Sequence, residues 1–188
     1  MTDTREAAIR LVKEKGYERR DEPFRLASGA LSHDYVDGKY AVEDGPSLTT
    51  VSRAIVEMLR GEGITFTAVG GLTMGADAFA VGVAIESGCK WFSVRKEPKP
   101  RGREQGVEGA RLSPSDTVLL VDDVITTGGS TKQAYDRVVA IGATVVCVTP
   151  FVDRGDSGRA LFEGLGVTYR PLMTYRDLGI DPVVPPAD

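Results

Sequence analysis

The stretch from Thr117 to Thr131, TVLLVDDVITTGGST, constrains the fold more than any other part of the chain. It opens with a short apolar run rich in β-branched residues, which is typical of a buried strand in a parallel sheet. Two carboxylates, Asp122 and Asp123, follow, and a turn rich in glycine and hydroxyl side chains then leads into a helical pattern ending at Gly142. This order leaves free backbone N–H groups at a helix N-terminus, where the helix dipole also favours negative charge. The stretch therefore predicts a phosphate site at the carboxyl edge of an α/β sheet.

Two other phosphate-binding motifs do not fit this turn. A P-loop requires a lysine before its Ser/Thr, and Gly129 occupies that position. The dinucleotide fingerprint requires G-x-G-x-x-G, which the adjacent glycines Gly128 and Gly129 do not supply. What remains is a phosphate cradle preceded by two carboxylates, which suit a sugar diol and its bound metal. The arrangement resembles the phosphoribosyl diphosphate (PRPP) motif of the type I phosphoribosyltransferases.

Composition sets the class of protein. The 188 residues predict one domain, with an N-terminal helix and cap hairpin over 1–45, an α/β core over 46–175 and a tail over 176–188. A net charge of −4 argues against general attraction to nucleic acid or anionic membranes. Cys89 and Cys147 both lie in apolar runs, which predicts reduced, buried thiols. With no signal-peptide or membrane-span pattern, the chain is predicted to be cytoplasmic.

Apolar runs alternate with helical patterns along most of the chain, which predicts a mainly parallel sheet flanked by helices. The predicted strands cover 66–69, 89–94, 117–121, 143–148 and 167–172. Ahead of them, the pattern predicts a helix over 3–16 and two short strands over 24–29 and 32–38, forming a small cap over the site. The proline-rich residues 181–188 are predicted to fray.

Two further segments point to anion binding. Residues 70–77, GGLTMGAD, form a second glycine-rich turn between a strand and a helix, and predict a second anion subsite. Residues 95–109 contain five cationic residues and almost nothing apolar, so burial cannot hold this loop in place. Because the protein carries net negative charge, this cationic loop predicts an anion-binding lid.

Four segments together resemble orotate phosphoribosyltransferase: FRLASGALSHDYVDGK, GGLTMGAD, VRKEPKPRG and VDDVITTGGST. The resemblance implies catalytic roles for Lys99, Asp122 and Asp123, and orotate contacts from Thr126 and Arg154. It also implies magnesium carried by PRPP rather than by a dedicated protein site, and a homodimer whose lids close over the neighbouring subunit. The residues that it implies for PRPP binding are Arg95, Lys96, Lys99, Arg101, Asp122, Asp123, Val124, Ile125, Thr126, Thr127, Gly128, Gly129 and Ser130.

Three positions depart from the family's pattern. Arg101 stands where the family usually has histidine, so proton transfer is not expected there, because arginine stays charged. Ala27 replaces a lysine that some members place beside orotate, and Met74 replaces a lysine of the second turn. Contacts to base and diphosphate at those points fall to the backbone or to other groups.

The implied reaction is displacement of diphosphate from the anomeric carbon of PRPP by a ring nitrogen of orotate. Two alternatives stay open: a type I transferase for another base, such as a purine, and a PRPP-sensing regulator without catalysis. Arg154 and the RKEPK segment argue against a purine. The acidic composition and the lack of an added nucleic-acid-binding element argue against a regulator.

Overall fold

The computed structural model describes residues 3–26, 29–97 and 106–184. The predictions made for Ala27, Lys99 and Arg101 therefore lie outside the described residues. The helices are α1 Asp3–Leu11, continued by a π-helical turn Val12–Gly16, α2 Gly38–Ala41, α3 Gly45–Gly61, α4 Asp77–Ser87, α5 Gly129–Ala140, α6 Ser157–Gly164 and α7 Tyr175–Leu178. The strands are β1 Tyr17–Arg25, β2 Leu31–Val36, β3 Ala68–Gly70, β4 Lys90–Val94, β5 Val107–Gly109, β6 Thr117–Ile125, β7 Thr144–Asp153, β8 Thr168–Tyr169 and β9 Met173–Thr174.

The main sheet has the order β5-β4-β3-β6-β7-β8 within the described part of the chain, and β9 pairs with β7. All of its pairings are parallel except that of β5 with β4. The prediction of a mainly parallel sheet flanked by helices is thus confirmed. Because parallel strands carry their carboxyl ends to one edge, the residues after β3, β4, β6 and β7 share that edge.

Alternating side chains of β6 supply both cores. Leu119 and Val121 join the cluster formed with α1, α3 and α4, while Val118 and Leu120 join the cluster formed with α5 and α6. All four side chains are buried. A strand apolar on both faces is what a sheet covered by helices on both sides requires, and this places the end of β6 at the centre of the sheet's carboxyl edge.

The N-terminal hairpin forms a two-stranded antiparallel sheet of its own, which confirms the predicted cap strands. β1 begins at Tyr17, earlier than predicted, because its first seven residues, YERRDEP, have no apolar alternation to reveal a strand. The hairpin is tied to the core through Arg154, whose Nη1 donates to the carbonyl of Asp34 at 3.0 Å.

Some predicted boundaries were wrong, each for a tertiary reason. The loop over 95–109 ends in β5, which pairs through its backbone with β4 and therefore needs no apolar side chains. β6 and β7 run four and five residues beyond their predicted ends, to Ile125 and Asp153, because each continues to pair with the other. Of the predicted last strand over 167–172, only β8, Thr168–Tyr169, is a strand, and β9 follows beyond the predicted range at Met173–Thr174.

The tail also differs from its prediction over its described part. Val183 is buried, and its N–H donates to the Arg154 carbonyl at 2.7 Å. Fraying is therefore wrong for residues 181–184. The division of the chain into a cap, a core and a tail stays a prediction.

Candidate active site

The turn after β6 forms the floor of a cavity of about 330 Å³. α5 begins here, and Gly128, which precedes it, has a φ of +85°, a left-handed conformation that glycine adopts without a steric penalty. The turn thereby exposes backbone N–H groups at the positive end of a helix dipole. The lining residues are Leu26, Asp122, Val124, Ile125, Thr126, Thr127, Gly128, Gly129, Ser130 and Thr131. Of the run predicted to bind PRPP, all but Asp123 line this cavity.

Asp122 and Asp123 lie near the end of β6, where this strand still pairs with β7. Their carboxylates have different hydrogen-bond partners. Asp122 is 6% exposed; its Oδ2 accepts a hydrogen bond from the Thr131 hydroxyl at 2.6 Å. This bond ties the first turn of α5 to the strand. Burial, and then the negative charge of Asp123, raise the pKa of Asp122 above its ordinary value. Binding of a cation or of a hydroxyl donor at this pair would be favourable, because it would reduce the repulsion between two adjacent carboxylates.

The Asp123 carboxylate is held on both oxygens. Its Oδ1 accepts from the backbone N–H of Val124 at 2.7 Å, and its Oδ2 lies 2.9 Å from the ammonium of Lys39. Lys39 also pairs with Asp37 at 2.9 Å. Burial lowers the pKa of Lys39, but hydrogen bonds to Asp37 and Asp123 outweigh burial and raise it. Lys39 therefore stays charged beside the acid pair.

The second glycine turn comes directly against these carboxylates. A Cβ at Gly75 would lie 2.7 Å from Asp123 Oδ1 and 2.8 Å from Asp122 Oδ1, so no side chain fits there. A Cβ at Gly71 would lie 2.3 Å from the Val121 carbonyl. The predicted second turn is thus brought beside the first one, with the acid pair between them. Its binding of an anion stays a prediction.

The described part of the cationic loop begins at the same edge of the sheet. Arg95 follows β4 and pairs with Glu108 at 2.9 Å, and Lys96 is exposed. The N–H of Arg95 donates to the carbonyl of Gly106 at 2.9 Å, which closes the base of the loop. The predicted roles of Arg95 and Lys96 in PRPP binding stay predictions.

Arg154 follows β7, and its N–H donates to the Ile125 carbonyl at 2.8 Å, so it adjoins Thr126. Its guanidinium is 2% exposed, and burial lowers its pKa. Nη1 donates to the Asp34 carbonyl and Nη2 to the Ser32 hydroxyl at 3.4 Å, whereas Nε has no partner among the described residues. A buried, unpaired donor of a charged group is costly unless a ligand satisfies it.

Comparisons with known proteins agree on one family. No family model matches the chain. It is 36% identical to orotate phosphoribosyltransferase of Aquifex aeolicus over 180 residues, 93% of this chain and 97% of that protein. It is 34% identical to orotate phosphoribosyltransferase of Streptomyces avermitilis, over 96% of this chain and 100% of that protein. The chain belongs to the orotate phosphoribosyltransferase family.

The fold of a solved orotate phosphoribosyltransferase supports the same assignment. The crystal structure of the Mycobacterium tuberculosis H37Rv enzyme in complex with PRPP superimposes with a TM-score of 0.77 and 30% sequence identity. The superposition covers 94% of this chain and 99% of that one. The likeness therefore extends over most of the chain rather than over the phosphate motif alone.

Several contacts within the site have no local sequence signal. Lys39 ends the segment FRLASGALSHDYVDGK, but nothing in that segment indicates that it reaches Asp123 across 84 positions. Leu26 lines the cavity from the hairpin, and Gly75 gives the close approach to the carboxylates. Only the pairing of the two glycine turns at one sheet edge could be inferred beforehand, because both follow parallel strands.

Proposed function

We infer that this protein transfers the phosphoribosyl group of PRPP to orotate, giving orotidine 5′-phosphate and diphosphate, a step of pyrimidine (UMP) biosynthesis. The observation that carries this conclusion is the meeting of a phosphate cradle, an acid pair and a second glycine turn at one sheet edge. Membership of the orotate phosphoribosyltransferase family supports both substrates, and a relative has been crystallised with PRPP.

The geometry supports binding of different groups of PRPP by the two turns. The N–H groups from Thr126 to Ser130 bind the 5-phosphate, and Asp122 and Asp123 accept hydrogen bonds from the ribose hydroxyls. The second turn, beside the acids, receives the diphosphate. A ring nitrogen of orotate then forms the new bond to the anomeric carbon as the bond to diphosphate breaks. Such glycosyl transfers pass through an oxocarbenium-like transition state, which adjacent carboxylates stabilise.

Charge on the departing diphosphate is the main electrostatic demand of this reaction. Lys99 and Arg101 lie outside the described residues, and the family resemblance supports their contact with PRPP together with Arg95 and Lys96. Closing such a cationic loop over the site would exclude water and strengthen each interaction with the leaving group. Orotate is already anionic, so no side chain is assigned as a general base.

Magnesium fits this site as an ion carried by the substrate. The described residues contain no cluster of three or more His, Cys, Asp or Glu side chains placed to hold a metal. Mg²⁺ commonly binds through one or two carboxylates together with substrate phosphates, and Asp122 and Asp123 are the carboxylates available to it. When bound, it supplies positive charge that neutralises the diphosphate.

A homodimer is supported by the surface of α4. Ile85 is 79% exposed and Val81 37% exposed, although the opposite side of this helix already packs into the core. A helix that is apolar all round is normally covered by another surface. Met74, 77% exposed, extends this apolar surface to the second glycine turn. A second copy covering α4 would therefore lie close to the site.

A cytoplasmic location is part of the proposal. Across residues 3–26, 29–97 and 106–184, none of the helices combines the length and apolar character needed to cross a membrane. Both cysteines are free thiols, Cys147 in the core and Cys89 partly buried. Unpaired thiols are typical of a reducing compartment.

The function is tested by mixing protein, PRPP and magnesium with a panel of bases and measuring diphosphate release. Consumption of orotate alone is the expected result. Consumption of a purine instead would overturn the assignment of the base. PRPP binding without release of diphosphate in the presence of any of the bases would favour the regulator.

Arg154→Ala is expected to weaken orotate binding by about 1.5–3 kcal/mol, roughly 10- to 150-fold, while PRPP affinity stays near normal. The reason is that the substitution removes a charged donor, which the family resemblance places against the orotate carboxylate. Calorimetry with each ligand measures the two affinities separately. Arg5→Ala is a matched control, because Arg5 also joins two segments but bonds Leu172 and Asp177. If Arg154→Ala weakened the binding of both ligands equally, Arg154 would have a structural role instead of a role in base binding.

A further inference from the structure

The short helix α2 brings Gly38, a residue of the N-terminal cap, into close contact with Asp123. A Cβ at Gly38 would lie 3.2 Å from the Asp123 Cβ and 3.0 Å from Phe151 Cδ1, so a side chain at this position would crowd both residues. Asp37 caps the helix, its side chain accepting from the Lys39 N–H at 2.9 Å. The next side chain, Lys39, is thereby directed at Asp123. Backbone packing thus fixes the point on α2 from which this half-exposed side chain reaches Asp123.

The Lys39 ammonium lies 2.9 Å from Asp37 Oδ1 and 2.9 Å from Asp123 Oδ2. Asp123 Oδ1 is occupied by the Val124 N–H. With one donor on each oxygen, the plane of the carboxylate is fixed. Asp122, by contrast, is held by Thr131 and by the Asp123 N–H, and no described ammonium or guanidinium group pairs with it. Lys39 is therefore the cation that balances this acid pair among the described residues.

We propose that Lys39 is a positioning residue for phosphoribosyl transfer, holding the Asp123 carboxylate in the orientation that receives the ribose hydroxyls and joining the cap to the site. The assignment rests on the proposed function. In this proposal Lys39 acts on the substrate through Asp123.

Removing this ammonium changes both the orientation of Asp123 and the charge balance of the acid pair. Charge-assisted hydrogen bonds orient more strongly than neutral ones, so Asp123 becomes free to rotate away from the sugar. The acid pair also becomes more repulsive to an incoming polyanion, because one neighbouring positive charge is gone. Both effects weaken PRPP binding or its turnover, and neither requires the fold to change.

Lys39→Met keeps the length of the side chain and removes its charge. The catalytic efficiency with PRPP, kcat/KM, is expected to fall about 10- to 100-fold. This is the usual effect of losing a partner that orients a functional group. Lys15→Met is the matched control. Lys15 also bridges two carboxylates of the cap region, Asp44 at 2.7 Å and Glu43 at 3.3 Å, but bonds neither site acid. It is expected to leave kcat/KM within about two-fold.

A double-mutant cycle separates positioning from a general structural role. Lys39→Met is measured alone and in an Asp123→Asn background, with PRPP affinity by calorimetry as the readout of the cycle, because the Asp123→Asn protein has too little turnover to measure. If Lys39 acts through Asp123, its substitution has almost no further effect once Asp123 is changed, and Lys39→Arg restores much of the activity. An equal loss in both backgrounds, or no loss in the wild-type background, overturns the proposal.

Calorimetry also separates this proposal from the proposed function. If wild-type protein binds PRPP but does not consume orotate, the assignment of the base fails while the cycle still measures coupling between Lys39 and Asp123. Thermal unfolding of each variant identifies a loss that comes from unfolding. A Lys39→Met protein that unfolds is replaced in the cycle by Lys39→Gln.

Discussion

Mixing inactive Lys99→Ala and Asp123→Asn proteins is expected to restore about a quarter of wild-type turnover. In a dimer whose lids cross over, each mixed dimer has one site that carries both defects and one site that carries neither. Random exchange of subunits makes half of the dimers mixed, and half of their sites are then intact. A lid that closes over its own subunit leaves one defect in every site and restores nothing.

The effect is large because each variant alone is strongly impaired. Removing Lys99 leaves the charge of the departing diphosphate unneutralised, a loss of about 10²–10³ in turnover by analogy with other electrostatic stabilisers. Asp123→Asn removes the carboxylate that lies between the second glycine turn and Lys39. Lys99 is expected to act on the diphosphate and Asp123 on the ribose, so either defect alone impairs a site.

The control for this experiment uses the exposed face of α4. Ile85→Glu places a charge in the apolar surface proposed to be covered by the second subunit. When both inactive chains also carry it, dimers should not form and no activity should return. Subunit exchange confirmed by mixed-tag pull-down, together with no recovered activity in the original mixture, would contradict a lid acting in trans.

Gly128→Val is expected to lower PRPP affinity at least about 100-fold. A non-glycine residue at a φ of +85° is strained by roughly 1–2 kcal/mol. Its Cβ would also lie 3.0 Å from Leu161 and 3.1 Å from Phe162, so the turn has to move. Each charge-assisted hydrogen bond from the turn to the phosphate is worth about 1.5–3 kcal/mol, and losing two of them is sufficient for this effect.

Calorimetry of PRPP binding measures this loss, and Gly142→Val supplies its control. Gly142 lies just beyond the other end of α5, at a φ of +91°, and its Cβ would meet Pro114 at 3.2 Å. The control variant therefore carries comparable strain and crowding without touching the cradle. A folded Gly128→Val protein with wild-type PRPP affinity would show that the phosphate does not lie on this turn.

The phosphate cradle was predictable because every signal for it is local. A buried apolar run, an acid pair and a glycine turn occupy consecutive positions from Thr117 onward, and the structure keeps them in that order. The sheet class followed from the same kind of pattern, since strands and helices alternate along the chain. Helix α3 has local signals of the same kind, because Pro46 lies in its first turn and the Asp44 side chain caps it.

The missed features depend on contacts between distant segments. β5 is a strand only because β4 lies beside it, and its own three residues, VEG, have no strand pattern. Lys39 and Asp123 are 84 positions apart, and Arg154 and Asp34 are 120 positions apart. The resemblance predicted that Arg154 contacts orotate, but it did not indicate that the same side chain fastens the hairpin. Pairings of this kind leave no mark on local composition or periodicity.

The junction at Arg154 also bears on the order in which the protein is built. Its backbone bonds Ile125 and Val183, while its side chain bonds the hairpin near Asp34. Contacts between segments this far apart along the chain form late, because the loops between them must close first. During synthesis, the sheet and the phosphate cradle can assemble before Val183 has left the ribosome. The Val183 hydrogen bond to the Arg154 carbonyl forms only when that segment arrives, so the junction between hairpin and core is completed after the turn that follows β6.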